Sequence, residues 1–343
     1  MIILNIDTMD IDMVYCWCDG NDPDFLKRKN YYLGKEQESY DNDSVGNHRF
    51  IDNEELRYSL RSLSMYAPWI HHVYIVTDRQ VPKWLNTEYE KVTVVDHSEI
   101  MPKDIIPCFS ASTIERYIVN IPGLSEHFLY GNDDMFFGRP ITPQFFFTEN
   151  GNPIVTVKYF EKFKMIKNKK DFLNKYNTVA TWMKTNLNAW KLLYDKFHHH
   201  EFYVLAHTID GYCKSLFLAT LDTYHDALEQ TSHIRFRNDK GISRSLFGLD
   251  AYYSNHGKLK LVKAPSFLKK HVYKPKGFSW ECYCGSEDEK TRKQILRFEP
   301  YVFCVNADSK GSQEDKKAMR AFYEKLFPEK SPFELTERNS HNV

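Results

Sequence analysis

Two adjacent aspartates follow a short apolar run in the first half of the chain. The segment Asn132-Asp133-Asp134 comes directly after His127-Phe128-Leu129-Tyr130-Gly131 and precedes three apolar residues. Neighbouring carboxylates repel each other unless a cation lies near them, and Mg²⁺ in phosphoryl-transfer sites binds one or two carboxylates together with substrate phosphates. An Asp-rich turn that caps a helix would have the same residues, so this segment alone leaves both interpretations open.

The second half of the chain offers acid–base and phosphate-binding groups. His207 stands among apolar residues, where it would be either a general base or a core histidine satisfied by a hydrogen bond. Arg235, Arg237 and Arg244 crowd a glycine-containing segment, and their planar guanidinium groups can bind phosphate oxygens or form ordinary salt bridges. The residues by themselves do not decide between these alternatives.

Two further segments carry potential ligands. Asn306 and Asp308 could provide oxygen atoms to a metal or lie beside a phosphate, although such a polar segment is usually a turn. The triplet 198–200 consists of histidines that would point in different directions on a helix, so we expect it to lie on the surface.

The elements that position these residues alternate between strands and helices. Apolar and β-branched runs predict strands, whereas leucines at helical spacing predict a helix over residues 54–66. This alternation is typical of a parallel sheet, in which ligands bind beyond the carboxyl ends of the strands. The predicted strands are 12–18, 72–77, 92–95 and 127–130, and a second helix is predicted over 111–120. The acids expected to share one rim are Asp19, Asp22, Asp78, Asp133 and Asp134.

The remainder of the chain is predicted to be mostly helical. A Lys- and Asn-rich stretch and a helix over 179–197 predict a helical insertion at about 160–205. A helix-rich block (208–230), a strand (258–264) and a terminal helix (313–326) follow. We expect one domain over residues 1–335 and a frayed tail over 336–343.

Composition excludes several classes of protein. The chain has 343 residues, and its 46 Lys and Arg balance its 46 Asp and Glu, so no net charge favours nucleic acid or anionic lipid. No window is apolar enough to span a membrane and the start lacks a signal peptide pattern, so we expect a cytoplasmic protein. The seven cysteines lack common zinc-site spacing, and we expect them to be reduced. Nor does the chain contain the glycine motifs of P-loop NTPases, Rossmann dehydrogenases or α/β-hydrolases.

Three segments resemble the Stealth family of sugar-1-phosphate transferases. They are DMVYCWCDGNDP (12–23), DNEELRYSLRSLSMYAPWIHHVYIVTDRQVPKWLN (52–86) and IPGLSEHFLYGNDDMFFGRP (121–140). The resemblance implies transfer of a hexose-1-phosphate, expected to be an N-acetylhexosamine-1-phosphate, from a UDP-sugar to an acceptor sugar hydroxyl. The products would be a phosphodiester and UMP, and the pathway would be capsule or exopolysaccharide synthesis.

The resemblance also implies roles for single residues. Asp133 and Asp134 match the family's N-D-D element and would hold Mg²⁺, or Mn²⁺ in its place, or would position the diphosphate. His207 would take the proton of the acceptor hydroxyl and Arg237 would clamp the phosphate, although these two roles could be exchanged if His207 stays protonated. Ser110, after Phe109, could cap the next helix beneath the donor. The expected substrate-binding residues are Trp17, Asp19, Gly20, Asp22, Asn53, Arg57, Arg61, Asn132 and Asn306.

The resulting prediction is a cytoplasmic enzyme of the α/β class. Its mainly parallel central sheet, Rossmann-like or glycosyltransferase-A-like, would be flanked by helices and carry the helical insertion. Its partners would be a UDP-sugar and a polysaccharide or oligosaccharide acceptor, with no nucleic acid, no transmembrane segment and peripheral association with the membrane. Two alternatives are a nucleotide-sugar glycosyltransferase that releases UDP and a glycan-binding protein without catalysis.

Overall fold

The fold is built around strands whose positions follow the apolar runs of the sequence. A computed structural model describes residues 6–35, 40, 42–160, 169–262, 281–307 and 312–336. The strands in these ranges are β1 (Ile11–Cys16), β2 (Val73–Thr77), β3 (Val92–Asp96), β4 (His127–Asn132), β5 (Met135–Phe137), β6 (Ile154–Tyr159), β7 (Tyr203–Leu205), β8 (Asp210–Cys213), β9 (Lys258–Leu261), β10 (Cys282–Ser286) and β11 (Val302–Asn306).

The α-helices lie mainly between and after these strands. They are α1 (Pro23–Lys35), α2 (Asn42–Val45), α3 (Glu55–Tyr66), α4 (His97–Ile100), α5 (Ala111–Ile114), α6 (Lys169–Tyr176), α7 (Thr181–Phe197), α8 (Lys214–Thr223), α9 (His225–Glu229), α10 (Ser245–Tyr253), α11 (Glu289–Phe298) and α12 (Gln313–Leu326). Within the described ranges, no helix is both long and apolar enough to cross a lipid bilayer.

The central sheet has five strands in the order β3-β2-β1-β4-β8. The first four run parallel, and β8 pairs antiparallel with β4 at one edge. This arrangement confirms the predicted α/β class and the mainly parallel sheet. Two three-stranded sheets, β10-β11-β5 and β7-β6-β9, complete the described strands.

Both faces of the central sheet are covered, as its apolar strands require. Met13 and Tyr15 on β1 belong to the core cluster that contains the leucines of α3, whereas Val14 belongs to the cluster on the opposite face. Alternate side chains of a strand point to opposite faces, so β1 joins two cores. Leu56, Leu60 and Leu63 are the buried stripe that made α3 predictable.

The chain between β6 and β8 contains two helices. Helix α7 matches the helix predicted over 179–197, and its buried residues include Leu187, Trp190 and Leu193. Trp190 packs against Phe202 in one apolar cluster, and Leu193 contributes to another together with residues of α10. Residues 161–168, in the predicted insertion, lie outside the described ranges.

The helix predicted over 111–120 is shorter than expected. Helix α5 ends at Ile114, and a 3₁₀ turn follows over Ile118–Asn120. β-branched residues are frequent in this segment and lose side-chain freedom in a helix. In addition, the buried Arg116 side chain donates to the Leu228 carbonyl at 3.0 Å. Tertiary contacts therefore outweigh the local helical pattern here. Of the other predictions, parts of the 258–264 strand and of the 336–343 tail lie outside the described residues.

Candidate active site

The register of the central sheet brings the ends of three strands together. Cys16, the last residue of β1, lies opposite Val76 of β2 and Asn132 of β4. The residues that follow these positions, Trp17 and Asp133 among them, therefore emerge side by side. This edge is the carboxyl end of the parallel strands, where open α/β sheets bind their ligands.

Two later segments reach the same edge. Strand β8 is antiparallel to β4, with Asp210 opposite Tyr130, so His207 lies just before β8 at this edge of the sheet. Strand β11 pairs with β5, and the Val305 amide donates to the Asp134 carbonyl at 3.0 Å. This pairing brings Asn306 beside the two aspartates.

The segments enclose two adjoining cavities. The sheet-edge cavity has a volume of about 310 Å³ and is lined by residues that include Trp17, Asp78 and Phe109. The insertion cavity has a volume of about 520 Å³, and its lining includes Lys158 and Asn306. The residues that line both are Arg49, Ile51, Asn132, Asp133, Trp182, Asn186, His207, Arg237, Ser243 and Arg244. Of the predicted catalytic residues, His207 and Arg237 thus lie where the cavities meet, and Asp134 lines the insertion cavity.

His207 is held by Asn306, one of the predicted substrate-binding residues. His207 Nε2 lies 3.0 Å from Asn306 Oδ1, and Asn306 Nδ2 donates to Cys284 Sγ at 3.2 Å. Because the amide oxygen only accepts, Nε2 carries the proton and Nδ1 keeps its lone pair. Burial and the nearby charge of Arg244 lower the pKa of His207 to about 3. The imidazole is therefore neutral at neutral pH, with one nitrogen able to accept a proton.

Several buried carboxyl groups lie close to Asp133. Burial, followed by the charge of Asp134, raises the pKa of Asp133 well above its usual value. Burial also raises the pKa of Asp134 to about 7, and burial with the charge of Glu55 raises the pKa of Asp52 to about 7. Glu55 is buried too and has a raised pKa for the same reason. A cation bound among these groups would offset their repulsion.

The side-chain oxygen atoms of Asn132, Asp133 and Asp134 are suitable ligands for a metal ion. Asp133, Asp134 and Asn132 present the oxygen atoms that Mg²⁺ or Mn²⁺ prefers. Asp134 Oδ1 is buried and has no hydrogen-bond partner in the described part of the chain. These residues fit a hard divalent ion that also binds substrate oxygens. Asp134 has a second set of neighbours, since its carboxylate, a His207 nitrogen and Cys304 Sγ lie within 4.8 Å of one another.

The three clustered arginines have different surroundings. Arg244 forms an ion pair with Asp210 at 3.1 Å and another with Glu115 at 3.5 Å, so its position at the junction of the cavities is fixed. Arg235 lies away from the cavities and donates to the carbonyl groups of Ile105 and Pro107. Arg235 therefore stabilises the loop that contains Ile105 and Pro107. Arg237 lines both cavities, as the phosphate-binding interpretation requires.

Two predicted substrate-binding residues form buried ion pairs outside the cavities. Arg57 and Arg61, on α3, line neither cavity; both bind the buried carboxylate of Glu334, at 2.6 and 2.8 Å. Arg61 also donates to the Phe327 carbonyl at 2.9 Å. Their charges are therefore used in attaching the C-terminal segment to α3, because a buried guanidinium requires a partner.

Several residues of the first predicted turn have structural contacts. A Cβ on Gly20 would meet the Phe50 carbonyl oxygen at 2.3 Å, so this glycine permits close backbone packing. Asp19 accepts from the Asn21 amide at 2.8 Å, and Asp22 accepts from the Phe25 amide at 2.8 Å near the start of α1. None of these three lines either cavity. They shape the turn that follows Trp17, and Trp17 itself lines the sheet-edge cavity.

Two other predictions need correction. Asn53 lines neither cavity, and its side chain donates to Glu55 at 2.8 Å and to Glu287 at 3.4 Å. Ser110 stands at the N-cap of α5, but its hydroxyl contacts Ser112 and does not cap the helix.

The remaining sequence predictions concern Asp308, a histidine triplet and the cysteines. Asp308 lies outside the described residues. The triplet 198–200 is exposed as expected, and none of the seven cysteines, all within the described ranges, forms a disulfide.

The structure adds site residues that the sequence did not indicate. Arg49 and Trp182 line both cavities, and Lys158 lines the insertion cavity. None belongs to a local motif. Only the tertiary structure brings their segments to the carboxyl edge of the sheet, so no spacing in the sequence would have identified them.

Comparison with known proteins agrees with the resemblance. Family models of Stealth conserved regions 1, 2 and 4 match residues 9–37, 49–155 and 293–342. Asp133, Asp134 and Asn306 lie within these segments, whereas His207 and Arg237 lie outside them. Among solved structures, the chain resembles the galactosyltransferase LgtC in complex with donor and acceptor sugar analogues. The TM-score is 0.46 and the identity 8%, with 97% of this chain and 100% of that chain covered.

Relatives match along most of the chain. Exopolysaccharide phosphotransferase cps2G of Lactiplantibacillus plantarum is 32% identical over 347 residues, which cover 95% of this chain and 96% of the relative. Exopolysaccharide phosphotransferase SCO6023 of Streptomyces coelicolor is 35% identical over 335 residues, which cover 96% of this chain and 53% of the relative. The chain thus spans about half the length of the Streptomyces protein. Its matched regions and its identity to a relative of nearly equal extent show that the chain belongs to the Stealth family.

Proposed function

We propose that this protein is a phosphotransferase of surface polysaccharide synthesis that transfers a hexose-1-phosphate from a UDP-sugar to an acceptor sugar hydroxyl. The observation that carries the proposal is that Asp133, Asp134, His207, Arg237 and Asn306, from separate parts of the chain, line joined cavities. The names of the two exopolysaccharide phosphotransferases support the same class of reaction. The products are a phosphodiester and UMP, and the transferred group is an N-acetylhexosamine-1-phosphate.

The donor diphosphate binds where the two cavities meet. Arg49, Arg237 and Arg244 line both cavities there, and cationic groups stabilise the charge of a phosphate during transfer. The sheet-edge cavity contains the aromatic side chains of Trp17 and Phe109. Aromatic faces stack on nucleobases, which supports binding of the uridine in this cavity. The sugar-bearing phosphorus then faces the insertion cavity.

The acceptor enters through the insertion cavity, which is the larger of the two. Its hydroxyl gives its proton to Nδ1 of His207, while Asn306 holds Nε2–H and so fixes the tautomer. The low pKa of His207 reflects burial and nearby cations. The negative charge of a bound diphosphate offsets those cations and makes His207 a stronger base in the complex than in the free protein.

Asp133 and Asp134 hold a Mg²⁺ ion, for which Mn²⁺ can substitute, with Asn132 beside them. The crowding of buried carboxyl groups and the unpartnered Asp134 Oδ1 support this assignment. When bound, the ion neutralises charge on the phosphate oxygens. The protein's part is to hold the carboxylates at the junction of the cavities.

The protein acts in the cytoplasm, where nucleotide sugars are made, and associates peripherally with the membrane at which the polymer is assembled. Fractionation of cells that produce the protein would test this location. Recovery only in an extracellular fraction would contradict it.

Product analysis tests the reaction. We expect incubation with a panel of UDP-sugars, Mg²⁺ and short oligosaccharide acceptors to give UMP and a product that contains a new phosphodiester, measured by mass and by phosphorus NMR. Release of UDP with a new glycosidic bond would show a glycosyltransferase instead. Binding of glycan without any turnover would show a binding protein.

Two substitutions test the assigned residues. Asp134→Asn removes a carboxylate from the metal site and His207→Ala removes the base, so we expect each to lower kcat by at least ~100-fold. His225→Ala is a matched control, because this histidine is exposed and lines neither cavity. Full activity of both site variants would refute the assignment.

A further inference from the structure

A buried thiol lies next to the predicted catalytic groups. Cys304, on β11, is fully buried, and its strand neighbour at the same register is Cys284 on β10. The Cys304 thiol, an Asp134 oxygen and a His207 nitrogen lie within 4.8 Å of one another. Among the residues that the structure describes, these three form a group of His, Cys and carboxylate side chains close enough together to share one metal ion.

An amide oxygen extends this group to four potential ligands. Asn306 Oδ1 lies 3.0 Å from His207 Nε2 and 3.6 Å from Cys304 Sγ. Ligands of a tetrahedral zinc ion, with bonds of about 2.0 to 2.3 Å, are separated by roughly 3.3 to 3.8 Å. The two distances from Asn306 Oδ1 are close to this range. The donor atoms of Asp134, His207 and Cys304 lie within 4.8 Å of one another, so binding of an ion would draw them closer together.

Two independent features prepare the group for an ion. Asp134 Oδ1 is buried without a hydrogen-bond partner among the described residues, so one oxygen is available for coordination. Asn306 Nδ2 donates to Cys284 Sγ at 3.2 Å, which keeps the amide oxygen turned towards His207 and Cys304. Such outer contacts orient the ligands of metal sites.

We propose that Asp134, His207, Cys304 and Asn306 form a binding site for Zn²⁺ whose occupation inhibits the enzyme. Thiolate and imidazole ligands select Zn²⁺ over Mg²⁺, which binds oxygen ligands and waters. The bound ion engages the carboxylate and the base that phosphate transfer needs. The inhibition rests on the proposed function, whereas the binding does not.

Proton balance follows from the ligand set. Cys304 loses its thiol proton to the buffer when sulfur binds the ion, because the thiolate is the ligand. Where the Asp134 carboxyl is protonated, its proton also passes to the buffer, so that the carboxylate can bind the ion. The neutral His207 moves its proton from Nε2 to Nδ1, so that Nε2 can bind the ion, and no electron is transferred. Asn306 Oδ1 exchanges its hydrogen-bond donors for the cation.

The test measures metal binding by the full chain without substrates. After treatment with a chelator, the protein is titrated with Zn²⁺ by calorimetry and, in parallel, with Co²⁺ by absorption spectroscopy. We expect one tight site and a thiolate-to-cobalt charge-transfer band. Cys304→Ser should weaken Zn²⁺ binding by at least ~10-fold and remove the band. Cys213→Ser is the matched control, because its buried thiol is on β8 and lines neither cavity.

The results separate this proposal from the proposed function. Absence of a tight site, a cobalt complex without the thiolate band, or unchanged affinity in Cys304→Ser would each overturn the zinc site. If Cys304→Ser does not fold, the spectrum of the wild-type cobalt complex decides. If the protein catalyses the proposed transfer, stoichiometric Zn²⁺ should inhibit the reaction even with excess Mg²⁺ present. Addition of a chelator should restore the activity. Zinc binding by a protein without transferase activity would refute the proposed function and leave the site intact.

Discussion

At the scale of single residues, the contact between His207 and Asn306 determines the chemistry of the site. Its 3.0 Å hydrogen bond selects the tautomer in which Nδ1 can accept a proton. Burial and the charge of Arg244 keep the imidazole neutral, with a pKa of about 3. Protonation of His207 should therefore not limit the wild-type enzyme at mildly acidic pH.

Asn306→Asp tests this arrangement. A carboxylate at this position attracts the imidazolium, so we expect the pKa of His207 to rise by about 1–3 units. The pH at which the His207 ring titrates, measured by NMR, should move upward by a similar amount. Asn306→Ala, which adds no charge, is the control and should lower the rate without this upward shift. Identical titration of His207 in Asn306→Asp and wild type would contradict the proposed coupling.

At the scale of elements, helix α3 is attached to the C-terminal segment by buried charges. Glu334 receives hydrogen bonds from Arg57 and Arg61, and the side chains of Arg61 and Glu334 are 3% and 1% exposed. Removal of one partner from such a pair leaves the other buried without compensation. This attachment fixes the C-terminal segment against α3.

Arg61→Ala should lower the free energy of unfolding by about 3 kcal/mol or more, measured by urea denaturation. The KM for the donor should not change, because Arg61 lies outside both cavities. Lys293→Ala breaks an exposed pair with Glu289 and serves as the control, with no measurable effect on stability. A large increase in the KM for the donor in Arg61→Ala would instead support a role of Arg61 in substrate binding.

At the scale of the whole molecule, buried carboxyl groups near the candidate active site should make stability depend on pH. Burial raises the pKa values of Asp52 and Asp134 to about 7, and it raises the pKa of Asp133 well above its usual value. Between pH 4 and 7 the folded state therefore holds protons that the unfolded state releases. By linkage, these carboxyl groups make the protein more stable as pH falls from about 7 towards 4.

His207 acts in the opposite direction. Its pKa is lowered, so the unfolded state takes up a proton below about pH 6.5 and stability is lost as pH falls. Because three carboxyl groups oppose this one imidazole, we expect their effect to exceed that of His207.

The variant Asp133→Asn/Asp134→Asn should reduce the gain in stability between pH 7 and 5, as measured by urea midpoints. Saturating Mg²⁺ should reduce it too, since the bound ion keeps the carboxylates ionised. An unchanged pH dependence in the variant would exclude these aspartates as its source.

The sequence alone determined the elements of the catalytic core and part of the site. Helix α3 and strands β1 to β4 follow from apolar spacing and turn residues, which are local properties of the chain. The position of Asp133 and Asp134 at the end of β4 follows in the same way. The residues alone named His207, Arg237 and Asn306 as candidates and left their roles open, and the resemblance assigned those roles. The structure places all three in the lining of the insertion cavity.

Only the tertiary structure decided which polar groups face the cavities. Arg61 and Glu334 are 273 positions apart, and His207 and Asn306 are 99 apart, so no local pattern could pair them. The same arginine side chain would suit a phosphate or a buried carboxylate, and its partner depends on which segment folds against it. For this reason Arg57 and Arg61 were assigned to the substrate from sequence, whereas Arg49 and Trp182 emerged only from the fold.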